Sequence, residues 1–349
     1  MISNIYDSIL NGFNILNQGG IMLKARYSYM DIAKGVGIIL VILGHTNTSL
    51  YLNDFIYSFH MPLFFIISGY LYSRKEIKYK EFIWHKFKSL LIPYIIFFII
   101  SAPITLIKNN FSLSHLIKSL LFYGETSWNT PIWFLIVLFS VYIIYFLVDK
   151  LNNKQKNLCI TVLLLLGYLC YKNNIVLIMG LQVSFIGVFL FNIGTAIKEF
   201  DISTIKNKEI IIVVLFSITL LFSVVLGNDV DMVKNIYGNF LYFIITSITG
   251  SLMIIIISTK IQNNNILEFF GKNTMVIMGL HFFIILGLNK VINIILGINI
   301  LTSNKNDILS IIITIIILII FIPIIKVLNI YMPWLSGRFK NKTNNIVNK

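Results

Sequence analysis

The stretch FHMPLFFIISGY, residues 59–70, is almost entirely apolar, yet a histidine lies near its start. The apolar stretch before it, DIAKGVGIILVILGH at residues 31–45, ends in a second histidine. Ionisable side chains are rare at membrane depth, and those that occur usually face a cavity or pathway. The two stretches therefore indicate both a membrane fold and the part of that fold in which chemistry takes place.

Composition supports an all-α fold, a polytopic integral membrane helix bundle. The 349 residues are 57% hydrophobic and 12% charged, with a mean hydropathy of +0.85. Soluble domains average about 25% charged residues. Long apolar runs recur along the whole chain, and helices satisfy their own backbone groups in lipid. The runs are continuous rather than alternating, which argues against a membrane β-barrel.

About ten transmembrane helices are predicted from apolar runs of roughly 17 to 25 residues. They lie near residues 33–51, 54–73, 87–107, 131–148, 158–172, 175–197, 209–227, 236–258, 274–296 and 308–328. Lysine and arginine concentrate in alternate loops, so the positive-inside rule places both termini in the cytoplasm. The net charge of +14 is explained by these clusters, and no nucleic-acid partner is expected. The longest outside loop, 108–130, is expected to carry a short amphipathic helix.

The chain is predicted to form one domain with two appended segments. Residues 1–26 form an N-terminal extension with apolar residues at helical spacing, either an interfacial helix or a dispensable segment. They show no features of a secretory signal peptide. Residues 27–330 form the transmembrane domain, and residues 331–349 form a basic cytoplasmic tail.

Lys34 and His45 are eleven residues apart, which places them on one face of the first helix, within roughly 20°. The axial separation is roughly 16 Å, so Lys34 lies at the cytoplasmic end and His45 beyond the midplane. The second helix runs back inward, and His60 on this helix is expected at nearly the same level as His45. A shared site containing both rings is therefore predicted.

Histidine is suited to general base catalysis, because its ordinary pKa lies near neutrality. Lys34 is suited to binding an anion at the cytoplasmic entrance, or it simply extends its ammonium group to the membrane surface. For His60, a hydrogen bond to a neighbouring helix is an equally good interpretation. The histidines are spread over separate helices without a short ligand spacing, and no metal site is predicted.

Five blocks in register resemble the membrane acyltransferase 3 family. They are Lys34 followed by ten residues and His45, FHMPLFFIISGY (59–70), KFKSLLIPY (86–94), TPIWFLIVLF (130–139) and GKNTMVIMGLH (271–281). The likeness covers about residues 27–330 and is strongest to the fucose 4-O-acetylase-like and poly-N-acetylglucosamine-modifying branch. The last block departs from the family pattern, since Met278 stands where a tyrosine is usual.

The resemblance implies an O-acyltransferase of the plasma (inner) membrane, in a bacterium. Such an enzyme moves an acyl group, usually acetyl, from cytoplasmic acyl-CoA to a hydroxyl of an extracytoplasmic polysaccharide or glycolipid. Acyl-CoA is then a co-substrate, and no tightly bound cofactor is expected. The partners are acyl-CoA, a cell-surface glycan or lipid-linked sugar, and the lipid bilayer.

The resemblance also implies roles for individual residues. His45 is the expected catalytic base or transient acyl carrier, with His60 orienting groups or stabilising charge. Lys34, Arg74 and Lys88 are candidates for the CoA phosphates, although Arg74 and Lys88 are also ordinary positive-inside residues. Asp31 is expected to pair with a basic neighbour.

Three further residues are candidates for acceptor binding: Glu125, Trp133 and His281. Trp133 is either an interfacial belt residue or a platform for the acceptor sugar. Glu125 is either a ligand of sugar hydroxyls or a solvated loop carboxylate. His281, about ten residues from the inside, is expected at a lower level than His45.

Two alternatives remain at this stage. The first is a glycan transporter or exporter whose polar residues line a path, although no repeat between the two halves supports it. The second is a non-catalytic partner of a polysaccharide synthase.

Overall fold

A computed structural model describes residues 28–73, 78–108, 112–122, 128–261, 263–297, 299 and 305–336. The predictions made for the extension at 1–26, for Arg74, for Glu125 and for most of the tail fall outside these residues. Everything below concerns the described part of the chain.

The described residues form fourteen α-helices and no strand, apart from an isolated bridge between Asp231 and Ile236, so the predicted all-α fold is confirmed. The helices are α1 Ser28–Gly44, α2 Leu50–Tyr57, α3 His60–Tyr70, α4 Tyr79–Lys86, α5 Ile92–Lys108, α6 Leu113–Phe122, α7 Trp133–Val148, α8 Asn153–Lys172, α9 Leu181–Ile197, α10 Lys208–Leu220, α11 Phe240–Ile261, α12 Asn265–Lys272, α13 Thr274–Leu296 and α14 Asp307–Tyr331. A π-helical segment, Phe87–Leu91, joins α4 to α5, and a second, Leu221–Val225, extends α10.

All ten predicted spans coincide with helices. Among the described residues, eight are long and apolar enough to cross a membrane: Leu50–Tyr70, Tyr79–Ile107, Thr130–Val148, Ile178–Ile197, Lys208–Val225, Phe240–Ile261, Thr274–Ile295 and Asp307–Tyr331. The two other predicted spans correspond to α1, which has 17 residues, and to α8, whose first turns are polar. The short helix predicted in the outer loop is also present, as α6.

The first helix ends earlier than predicted. The run was expected to continue to residue 51, but α1 stops at Gly44. The amides of His45 and Thr46 bond carbonyls three residues back, which closes the helix with tight turns. Ser49 then caps α2 by accepting a hydrogen bond from the amide of Leu52. His45 therefore lies at the end of a helix rather than within one.

The second span is broken between α2 and α3, and Pro62 explains the break. Proline has no amide hydrogen, so it cannot bond the carbonyl of Ser58 four residues earlier. That carbonyl instead accepts hydrogen bonds from the hydroxyls of Thr246 and Ser247 in α11, at 3.5 and 3.4 Å. The break lies between Tyr57 and His60, so it determines the orientation of these two side chains relative to each other.

Glycines allow two close helix crossings that hold the bundle together. A Cβ added to Gly69 in α3 would lie 1.9 Å from the carbonyl oxygen of Phe191, and one added to Gly194 in α9 would lie 1.9 Å from that of Ile66. In lipid, such close backbone packing replaces the hydrophobic drive that water supplies to soluble bundles.

The second crossing packs α12 against α1. A Cβ on Gly35 would approach the carbonyl oxygen of Leu267 to 2.2 Å, and one on Gly271 would approach that of Asp31 to 1.7 Å. The GKN block therefore begins where α12 packs against the first half of α1. The chain then continues into α13, which carries His281.

Candidate functional site

A cavity of about 230 Å³ lies where α1, α2 and α3 meet the starts of α7 and α13. His45 and His60 both line it, together with Tyr57 between them in the sequence. The structure thus brings the two histidines to one space. Their chemical roles remain predictions.

His45 is held by aromatic contacts. Its ring stacks on that of His281 with the centroids 5.3 Å apart and the planes at 30°. The ring of Phe282 meets it edge-on at 4.8 Å. The side chain is half-buried and borders the cavity, so it does not point into the lipid. His45 directly follows Gly44, the last residue of α1, so its ring lies at the end of that helix.

Tyr57 connects the two predicted histidines. Its hydroxyl lies 3.4 Å from Nδ1 of His45 and 3.3 Å from the carbonyl oxygen of Gly44. The centroid of its ring is 4.9 Å from that of His60. The sequence interpretation did not include this residue. Its position three residues before His60, on the same helical face, was the available signal.

His60 is buried and anchored to its own helix. Nδ1 lies 2.8 Å from the carbonyl oxygen of Ile56, four residues earlier. A carbonyl oxygen only accepts, so Nδ1 donates, and in the neutral ring Nε2 is left as an acceptor. The Ile56 carbonyl that accepts this bond from His60 lies close to the break in the second span.

His281 is fully buried and anchored in the same manner. Nδ1 lies 3.0 Å from the carbonyl oxygens of both Ile277 and Met278. Its Nε2 is buried without a hydrogen-bond partner among the described residues. His281 was expected at a lower level than His45, and the structure places the two rings in direct contact, with centroids 5.3 Å apart.

Trp133 opens α7 and lines the cavity, preceded by a 3-10 turn at Thr130–Ile132. Its side chain is buried, with 5% of its surface exposed. Burial argues against the interfacial belt and favours a contact with whatever enters the cavity. Thr130 and Pro131 from the same turn also line the cavity.

A loop between α10 and α11 closes the other wall, and the sequence interpretation did not identify it. Asp231, Met232, Val233 and Lys234 all line the cavity. Asp231 caps the turn by accepting from the amides of Val233 and Lys234, and its carboxylate lies 3.3 Å from Nζ of Lys234. Burial raises the pKa of Asp231, while Lys234 and these amides act in the opposite direction. The charge distribution placed this loop, like the residues before Trp133, on the outside.

The predicted donor-binding residues lie away from this cavity. Nζ of Lys34 is 2.7 Å from Oδ1 of Asp31, which is the predicted pairing of Asp31 with a basic neighbour. Lys88 lies in the π-helical segment with Nζ 5.6 Å from the centroid of Trp84. Neither lysine lines the cavity.

One stripe of α1 connects the two regions. Lys34, Ile38 and Val41 follow at spacings of four and three residues and so share a face of α1, and His45 comes four residues after Val41, just beyond the end of the helix. Val41 lines the cavity with His45, and Ile38, with 1% of its surface exposed, lies between them and Lys34. The alignment predicted from the sequence is consistent with the uninterrupted helix from Ser28 to Gly44.

His85 is exposed and His115 is half-buried, and neither lines the cavity. Across the described ranges, no group of three or more His, Cys, Asp or Glu side chains is arranged to hold a metal ion. The side chains that line the cavity supply imidazole, phenol, indole and hydroxyl groups and the Asp231–Lys234 pair.

Comparison with known proteins adds one finding. A family model described as an acyltransferase domain, that of the membrane acyltransferase 3 proteins, matches residues 27–330. Comparison with curated proteins and with solved structures found no match.

Proposed function

Because the chain belongs to the membrane acyltransferase 3 family, we propose that it transfers an acetyl group from cytoplasmic acetyl-CoA to a glycan hydroxyl. The acceptor is a polysaccharide or glycolipid on the far side of a bacterial plasma membrane. That the chain is an acyltransferase with several membrane-spanning helices follows from the family and the fold. The donor, the acceptor and the catalytic residues are the proposal.

The observation that carries the proposal is the position of His45. The side chain lies at the end of α1, in a cavity whose other walls come from the Asp231–Lys234 loop and the start of α7. Both walls belong to connections that the charge distribution places outside. An acceptor arriving from that side meets the imidazole directly. A cavity of about 230 Å³ is small for a ligand site, which suits one sugar ring better than an oligosaccharide.

The reaction requires one base. As the acceptor oxygen attacks the thioester carbonyl, its proton moves to an imidazole nitrogen of His45. The oxygen–carbon bond forms, the carbon–sulfur bond breaks, and the departing CoA thiolate receives the same proton. The histidine is then neutral again, and no external proton source or cofactor is needed.

The donor enters from the opposite end of α1. Lys34 lies roughly 16 Å below His45 along the helix axis, a distance comparable to an extended pantetheine arm. With the CoA phosphates near Lys34 and Lys88, the thioester reaches toward the cavity past Val41. The ion pair with Asp31 fixes the ammonium group of Lys34 at the rim.

The test uses the full chain in proteoliposomes that contain acetyl-CoA labelled on the acetyl group. Chito-oligosaccharides and fucosylated oligosaccharides are added as acceptors, and two products are measured: labelled oligosaccharide and free CoA thiol. We expect both to appear together for one acceptor class. We expect His45→Gln to lower the rate by about 10²–10⁴-fold, the usual contribution of a general base.

His85→Gln is the matched control, since His85 is exposed and away from the cavity. It should transfer at the wild-type rate. Retention of full transfer by His45→Gln would overturn the assignment of the base. Labelled glycan without release of free CoA, or no labelled glycan from any acceptor class presented with acetyl-CoA, would overturn the proposed reaction.

A further inference from the structure

We propose that Tyr57 is a positioning residue that holds His45 in the tautomer with the proton on Nδ1, so that Nε2 is the atom that accepts the acceptor's proton. This inference rests on the proposed role of His45 as the base. Tyr57 need not contact the reacting atoms, since it acts through the imidazole.

The donors and acceptors around the phenol decide the tautomer. The Tyr57 hydroxyl lies 3.3 Å from the carbonyl oxygen of Gly44 and 3.4 Å from Nδ1 of His45. A hydroxyl has one hydrogen to donate, and a carbonyl oxygen can only accept. When the phenol donates to Gly44, its oxygen is left to accept from Nδ1 of His45. Nδ1 then carries the ring proton, and Nε2 keeps its lone pair.

The position of Gly44 favours the hydrogen bond from the Tyr57 hydroxyl to the Gly44 carbonyl oxygen. It is the last residue of α1, and the final carbonyls of a helix lack amide partners within that helix. A hydroxyl that satisfies such a carbonyl gains more than one that bonds a group with other contacts. Both distances are at the long end of the hydrogen-bond range, and bonds of this kind shorten when a substrate completes the site.

The phenol is also confined mechanically. A Cβ added to Gly44 would lie 2.9 Å from Cε2 of Tyr57, so the absence of a side chain there makes room for the ring. The ring packs edge-on against His60 on its other side, with the centroids 4.9 Å apart. The end of α1 and the end of α2 thus fix the hydroxyl between them.

His60 and His281 support the same arrangement. Each has Nδ1 within hydrogen-bond distance of a backbone carbonyl on its own helix. With Tyr57 in place, Nδ1 donates in all three cavity-associated histidines, and the three Nε2 atoms are left as acceptors. Of these three residues, His45 and His60 line the cavity.

The direct test is nitrogen NMR of the full-length protein labelled only at histidine. The chain has five histidines, so the spectrum can be assigned with single His→Gln variants. The two ring nitrogens give different shifts according to which one carries the proton. We expect neutral His45 to be protonated at Nδ1 in the wild type. In Tyr57→Phe, which keeps the ring and loses the hydroxyl, we expect a substantial population protonated at Nε2.

Kinetics provide the second readout. Tyr57→Phe should lower kcat by about tenfold, less than the roughly 10²–10⁴-fold expected on losing the base. The KM for acetyl-CoA should not change, because the predicted CoA site is at the other end of α1. Tyr51→Phe is the matched control on the same helix, since Tyr51 is 71% exposed, and it should alter neither readout.

An unchanged His45 tautomer in Tyr57→Phe would overturn the inference, and so would a mixture of tautomers in the wild type. Either result leaves the proposed function intact if His45→Gln still abolishes transfer. A wild-type rate in both His45→Gln and Tyr57→Phe would instead remove the function on which the inference rests.

Discussion

The imidazole rings of His45 and His281 lie stacked, with centroids 5.3 Å apart, although they come from helices at opposite ends of the chain. Two positive charges at this separation repel by on the order of 3 kcal/mol at an effective dielectric constant of about 20. The arrangement therefore favours one protonated ring at a time. When His45 takes a proton, His281 remains a neutral neighbour whose Nε2 is still an acceptor.

We expect His281→Phe to reduce transfer at least tenfold while the protein stays folded. Phenylalanine preserves the ring that stacks on His45 but removes both nitrogens, so the loss would report on the acceptor Nε2 rather than on packing. The rate in proteoliposomes and the melting temperature are the measurements. His115→Phe is the control, because His115 lies outside the cavity. Equal rates for His281→Phe and the wild type would mean that His281 serves only to pack against His45.

Trp133 should affect the acceptor and not the donor. We expect Trp133→Ala to raise the KM for the active glycan by about tenfold, which corresponds to about 1.4 kcal/mol, and to leave the KM for acetyl-CoA unchanged. Trp133→Phe should lie between alanine and the wild type, since an apolar ring face remains. Trp84→Ala is the control, because Trp84 is 57% exposed and does not line the cavity. A change confined to the acetyl-CoA KM would contradict a role in acceptor binding.

Replacing Lys34 distinguishes a role of the Asp31–Lys34 pair in binding the donor from a purely structural role. If Lys34 binds the CoA phosphates, Lys34→Gln should raise the KM for acetyl-CoA by about tenfold, within the usual strength of charged hydrogen bonds. If the pair only holds α1, the variant should lower the melting temperature and leave that KM unchanged. Lys326→Gln controls for the loss of one basic residue, since Lys326 is exposed on α14. Steady-state kinetics and thermal unfolding of both variants decide between the two.

The sequence was sufficient to predict the bundle, the shared site of His45 and His60, and the pairing of Asp31. Each of these depends on apolar run length or on helical spacing within one or two neighbouring segments. The stacking of His281 on His45 and the Asp231–Lys234 wall depend on contacts between distant helices, which spacing along one helix does not encode. The early end of α1 does have a signal in the sequence, since the polar residues HTNTS at 45–49 interrupt the apolar run and Ser49 caps the next helix.

Pro62 should matter for activity more than for stability. Pro62→Ala restores an amide hydrogen that can bond the carbonyl of Ser58, which would join α2 and α3 into one regular helix. Tyr57 and His60 would then rotate relative to each other, and a shift of about 1 Å in a catalytic group can cost about 10²-fold in rate. We expect a large loss of transfer with an equal or higher melting temperature.

Pro323→Ala is the control for Pro62→Ala. Pro323 lies within α14 and is exposed, so its replacement changes a helix without changing the cavity. A Pro62→Ala variant that transfers at the wild-type rate would show that the break in the second span has no part in presenting the two side chains.

Gly194 should be intolerant of even one added methyl group. The Cβ of Gly194→Ala would lie 1.9 Å from the carbonyl oxygen of Ile66, so α9 must move away from α3, which also disrupts the close contact of Gly69 with Phe191. Overpacking of this kind typically costs about 1–3 kcal/mol, and here the clash is with backbone, which cannot rotate aside. We expect a clear fall in melting temperature in detergent. Gly287→Ala in α13 has nothing within 4 Å of the added Cβ and should melt like the wild type, so equal melting of all three proteins would contradict the close crossing of α3 and α9.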